Sequence, residues 1–150
     1  MPPDVDPAAR RALAARLFNH VWTLLEARDR TPEQDDEMIH AAHASRYHWG
    51  EVGEPANRAR GEWQCSRVYA VLGRAEPALW HARRTLEICK ANGIGDWDLA
   101  FAYEALARAS AVAGEVADTG RYLGLAREAA TRIADDEDRR LLEADLATLP

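Results

Sequence analysis

A repeat constrains this chain more than any other feature. Gly73 closes one stretch of helical apolar spacing, and Gly114 closes a second, 41 residues further on. Each glycine is followed by another stretch with the same helical spacing. A period of this length marks stacked helical hairpins. One hairpin cannot bury its apolar face alone, so neighbours must share a continuous core.

Start and stop signals divide the rest in the same manner. Asp6-Pro7 and Thr31-Pro32 each place a capping side chain before a proline at the first helical position. Gln34 stands where it can complete a capping box with Thr31. The first helix is predicted from Pro7 to about Arg28, with Leu13, Leu17, Val21, Leu24 and Leu25 as its apolar stripe. The second runs to about Trp49, followed by a turn over Gly50-Glu51-Val52-Gly53. Glu54-Pro55 opens the third and Glu76-Pro77 the fourth, which ends at Asn92-Gly93. Asp96 caps the fifth, the sixth spans about 116–134, and acidic residues 135–138 open the seventh, where the helix dipole favours them.

Composition supports an all-α chain. Alanine, the best helix former, fills 30 of the 150 positions, and 9 glycines and 7 prolines sit mostly between the periodic stretches. Short connections imply antiparallel hairpins over about 7–50, 54–92 and 96–134, a capping helix over about 136–149, and one domain over 1–150.

The repeat resembles the tetratricopeptide repeat family. Ser66, Tyr69 and Gly73 stand at the family's small, tyrosine and turn positions, and Ala78, Ala82 and Thr85 follow on the next helix. Tyr103, Leu106, Ala107, Ser110 and Gly114 repeat the pattern, with Leu123 and Ala126 after them. Ala82 replaces an aromatic, Thr119 replaces an alanine, and the period exceeds the family's usual length of about 34. Residues 55–134 carry the resemblance, which extends to stand-alone bacterial proteins of this kind and brings no activity with it. It implies a right-handed superhelix of three hairpins with a capping helix, in which small residues at Ala78, Ala82, Ala107 and Ala126 let helices approach closely.

The resemblance also implies a concave groove lined by the first helix of each pair. Its position-equivalent residues are Arg60, Trp63 and Arg67 on the third helix and Phe101, Glu104 and Arg108 on the fifth. Arginines beside an aromatic suit an acidic or C-terminal carboxylate peptide. The lysine–asparagine clamp of some family members is not reproduced. Protein or peptide binding without catalysis is the expected function, with no cofactor.

Two other functions have sequence support. The second helix holds three of the five histidines, and Glu37, His40 and His43 lie three apart. With His20 from the first helix they could hold a metal, as Glu-x-x-His pairs do in helical bundles, for an enzyme or a small-molecule binder. Trp22, Trp49, Trp63, Trp80 and Trp97 fall on different helices or their ends, so exposed ones could build a homo-oligomer surface.

Other classes are excluded on chemistry. A net charge of −6 argues against nucleic acid, although 18 of the 19 basic residues are arginine. Cys65 and Cys89 form no metal spacing and read as buried free thiols. Ser45 and Ser66 sit mid-helix without a nucleophile turn, and no phosphate loop occurs. No leader and no membrane-spanning stretch is seen, so a soluble cytoplasmic protein is expected.

Overall fold

A computed structural model describes residues 4–149. Among them lie seven helices and no strand: α1 (Pro7–Glu26), α2 (Pro32–Val52), α3 (Pro55–Val71), α4 (Ala75–Ala91), α5 (Asp96–Ala113), α6 (Val116–Ala130) and α7 (Asp136–Leu146). Two caps are those the sequence announces, at Asp6 and at Thr31 with Gln34, whereas α5 has Gly95 at its N-cap and Asp96, expected as the cap, as its first helical residue at φ +53° with no side-chain cap bond. Asp6 Oδ2 accepts the Ala9 N–H at 3.0 Å. Thr31 and Gln34 form both bonds of a capping box, at 3.2 and 2.9 Å. Asp135 Oδ1 accepts the Asp138 N–H at 3.0 Å.

The repeat is visible in the backbone. After α3, the Gly73 N–H bonds to Ala70 O and the Arg74 N–H to Tyr69 O, at 3.1 and 2.9 Å. After α5, Gly114 and Glu115 make the same two bonds to Ala111 O and Ser110 O, at 3.1 and 3.0 Å. Both glycines have φ near the left-handed well, +74° and +77°, which a side chain would disfavour.

Three boundaries differ from the sequence reading. Helix α2 runs through Gly50 to Val52, so the expected four-residue turn shrinks to Gly53. Its last turn is held from α1: Arg11 donates to Val52 O at 3.0 Å and lies 5.4 Å from the Trp49 ring centroid. Helix α6 stops at Ala130 rather than 134, because the chain tightens into short-range bonds through Thr131, Arg132 and Ile133 and buries the Ile133 side chain. Helix α7 ends at Leu146, short of 149.

Packing is pairwise and sequential. Helices α1 and α2, α3 and α4, and α5 and α6 form antiparallel pairs, and α3 also packs on α1 and α5. Helix α7 rests on α5 and α6. Ala78, Ala82, Ala107 and Ala126 have no exposed surface, so these helices approach to the limit that a methyl group allows. The larger core runs from Trp63 across Leu106 to Leu142 and Leu146, and a second joins Val21, Leu24 and Met38 to Val68.

Candidate functional site

The structure brings together all six groove residues. Arg60, Trp63 and Arg67 share one face of α3 by helical spacing, and Phe101, Glu104 and Arg108 repeat that register on α5. The arginines, however, face partners from this chain. Glu104 is fully buried and accepts from Arg67 Nη2 at 3.2 Å, from Arg108 Nε at 2.7 Å and from the Trp63 indole at 3.4 Å. Asp145 of α7 accepts from Arg67 Nη2 at 3.0 Å through its carboxylate. Arg108 Nη2 donates to the Asp145 backbone oxygen at 2.9 Å and to Thr148 Oγ1 at 2.8 Å. The C-terminal segment thus covers the arginine end of the face.

Arg60 is held separately. It grips Asp98 bidentately at 2.9 and 3.0 Å, and its guanidinium sits 4.5 Å from the Trp97 ring centroid. The hydrogen bonds to Asp98 raise its already high pKa against the opposing effect of burial.

Beside this pair lies an open cavity of about 530 Å³. Its walls are mostly aromatic: Phe18 and Trp22 from α1, Trp63 from α3, Trp97 and Phe101 from α5. The rings form a connected chain, with centroids 5.5 Å apart for Trp22–Trp63, 5.7 Å for Trp63–Phe101 and 5.8 Å for Trp97–Phe101. Leu141 and Asp145 of α7 close one side. Leu141 is 61% exposed, an apolar side chain at the border of the cavity.

Sequence reasoning missed Phe18, Trp22, Trp97, Asp98, Leu141 and Asp145. The available signal was the i, i+4 spacing of Phe18 with Trp22 and of Trp97 with Phe101, which puts two large rings on one helical face in each case. Trp80, at 58% exposed, is the tryptophan that stands out on the surface.

The histidine-rich helix is arranged differently from a metal site. His20 Nε2 lies 3.6 Å from Glu37 Oε2 on the open surface, and His40 is exposed. His43 turns the other way, into the α2–α3–α4 junction, where Nε2 shares a 2.8 Å hydrogen bond with the Tyr69 hydroxyl. Among the described residues no group of three or more histidine, cysteine, aspartate or glutamate side chains could hold a metal.

His43 belongs instead to a half-buried polar cluster. His81 Nδ1 donates to Glu62 Oε2 at 2.6 Å, Arg46 Nε donates to Glu62 Oε1 at 3.0 Å, and the Tyr69 and His81 rings stack at 5.8 Å. Burial lowers the His43 pKa, and the neighbouring His81 lowers it further. Burial alone would raise the Glu62 carboxyl, but His81 and Arg46 together hold it below the usual carboxylate range. Cys65 Sγ lies 3.9 Å from His43 Nδ1, yet burial pushes its thiol far up, away from a reactive thiolate.

Comparison with protein-family models, with curated proteins and with solved structures found no match to this chain. No helix among the described residues is long and apolar enough to cross a membrane.

Proposed function

We propose that this chain is a non-catalytic binding module, a tetratricopeptide-like right-handed superhelix of three hairpins and a capping helix. Its binding site is the aromatic cavity between α1, α3, α4, α5 and α7. The cavity is the observation that carries this reading: about 530 Å³ of open space walled by rings, a size and lining suited to holding a ligand. Its ionisable groups are Arg60, Asp98 and Asp145, and each is already in an ion pair. None is poised as a base or nucleophile. The repeated glycine turns and the contacts of α3 with both α1 and α5 support the superhelix.

Native mass spectrometry of the protein purified from its own lysate tests the reading, with Leu141→Arg as the cavity-blocking variant. A bound species lost from the variant, with unchanged helical signal, is expected. Absence of any bound species from the wild type, or full retention by the variant, would sink it.

A second reading rests on the contact between Arg67 and Asp145. Helix α7 presents to Arg67 and Arg108 a carboxylate and a backbone carbonyl, the groups that an acidic or C-terminal peptide would offer. A partner peptide would bind there by displacing α7. Asp145→Asn should then strengthen capture of an acidic peptide, and unchanged capture would rule this reading out.

A further inference from the structure

We infer that the cavity takes a neutral, planar, largely apolar small molecule, an inference that rests on the cavity being the binding site. Size points first to a small molecule. About 530 Å³ lies within the roughly 300–1,000 Å³ typical of small-molecule pockets.

Charge then selects a neutral one. Arg60 and Asp98, which both line the cavity, are bonded to each other, and the third charged lining group, Asp145, is bonded to Arg67 of the adjoining Arg67–Glu104–Arg108 network. The local charges balance. A charged ligand would lose its hydration to an apolar site that offers no free counter-charge.

Hydrogen bonding excludes an extended peptide. Every residue of a peptide brings a backbone donor and an acceptor that need partners. The charged lining side chains and the one lining hydroxyl already have partners: Arg60 with Asp98, Asp145 with Arg67, and Thr85 with His81 O at 3.0 Å. A peptide would therefore bury unsatisfied groups, whereas a flat ring system would not. Trp22, Trp63, Trp97 and Phe101 meet one another tilted or edge-on, and such walls attract the edges and faces of a further ring. The Arg60 guanidinium, stacked on Trp97 and clamped by Asp98, adds another flat surface.

The test is a fluorescence titration of the full chain with three probes. N-phenyl-1-naphthylamine is neutral, 8-anilino-1-naphthalenesulfonate has the same ring system with a negative charge, and a capped Gly-Trp-Gly tripeptide supplies a peptide backbone. The variants are Trp97→Ala, which removes a wall, and Leu141→Arg, whose site is exposed enough to spare the fold if Trp97→Ala does not. The neutral probe should saturate at one site per chain; Trp97→Ala should weaken it about tenfold, the loss of roughly one aromatic contact, and Leu141→Arg, which puts a longer charged side chain at the border of the cavity, should weaken it by about as much. The sulfonate and the tripeptide should bind the wild type at least about tenfold more weakly than the neutral probe. If either matches or exceeds it while remaining sensitive to the variants, the ligand class is wrong and the cavity stands. If probe binding falls as protein concentration rises, a second copy fills the cavity and the ligand class is again overturned. If no probe binds, or the variants bind all three as the wild type does, both the ligand class and the cavity reading fail.

Discussion

The Glu104 side chain has no exposed surface, while those of its partners Arg67 and Arg108 are 13% and 16% exposed. Glu104→Gln removes the charge with little change in shape. The amide oxygen can still accept from one arginine, but the amide nitrogen must then face the other guanidinium or the Trp63 indole, donor against donor. Removing one partner of a buried ion pair costs about 3–5 kcal/mol, because the remaining charge stays buried. Arg67 keeps Asp145, and both guanidiniums retain some water, so the cost should fall near the lower end, about 3 kcal/mol. For a chain of this size each kcal/mol moves the melting temperature by about 2–4 °C, so a fall of about 6–12 °C is expected. Asp145→Asn offers the contrast. Its side chain is 26% exposed, and its loss leaves Arg67 still paired with Glu104, so about 1 kcal/mol should go. Urea unfolding followed by circular dichroism measures both, with midpoints and slopes compared. Replacing Arg67, Glu104 and Arg108 together by Met, Leu and Met should recover much of the loss, since the one carboxylate then left without its arginine, Asp145, is 26% exposed and keeps contact with water. The reasoning is refuted if Glu104→Gln costs under about 1 kcal/mol at unchanged slope, or less than Asp145→Asn.

Acid should weaken the fold in two stages. The unfolded chain takes up a proton on His43 near pH 6.5 that the folded chain resists, so stability falls as pH drops from about 6.5. Glu62, whose folded carboxyl titrates below its unfolded value, gives stability that is intact above the unfolded value and is lost as pH falls through the folded one. Between pH 7 and pH 5 the wild type should therefore lose more stability in urea than His43→Gln, and an equal loss would contradict the assignment. Burial drives both cysteines away from the thiolate, pushing Cys89 up to about 11. A thiol reagent at pH 8 should label neither in the native protein and both in urea, and rapid native labelling would show the α2–α3 or α3–α4 packing to be wrong. Glycine-to-alanine changes should have opposite signs at two sites. Gly114→Ala forces a side chain into φ +77° and should cost about 1 kcal/mol, whereas Gly124→Ala within α6, with open space around it, should gain up to about 1 kcal/mol by thermal melting.

What could be read from the sequence was what a helix decides within its own turns. Asp6 and Thr31 with Gln34 cap because the acceptor and the open N–H lie three residues apart, and Gly73 and Gly114 stop helices because of their own φ. Gly50 misled for the complementary reason: its helix persists on contacts that Arg11 brings from 41 residues away. The groove shows the same division. Register placed Arg60 and Arg67 on α3 and Arg108 on α5 at equivalent positions, but the carboxylates that bind Arg60 and Arg67 come from α5 and α7, and Asp145 lies 78 residues from Arg67. Arg108 and Glu104 pair at i, i+4 within α5, which local spacing does encode, but for Arg60 and Arg67 a guanidinium awaiting a ligand and one already paired look identical within α3. The histidines divide likewise. His40 and His43 sit three apart on α2, and only the arrival of Tyr69 and His81 on other helices draws one inward and leaves the other in solvent. The aromatic cavity is the converse case. It is a gap left where α1, α3, α4, α5 and α7 fail to meet, bounded by rings too large to interdigitate fully, so it exists only once all five helices are in place.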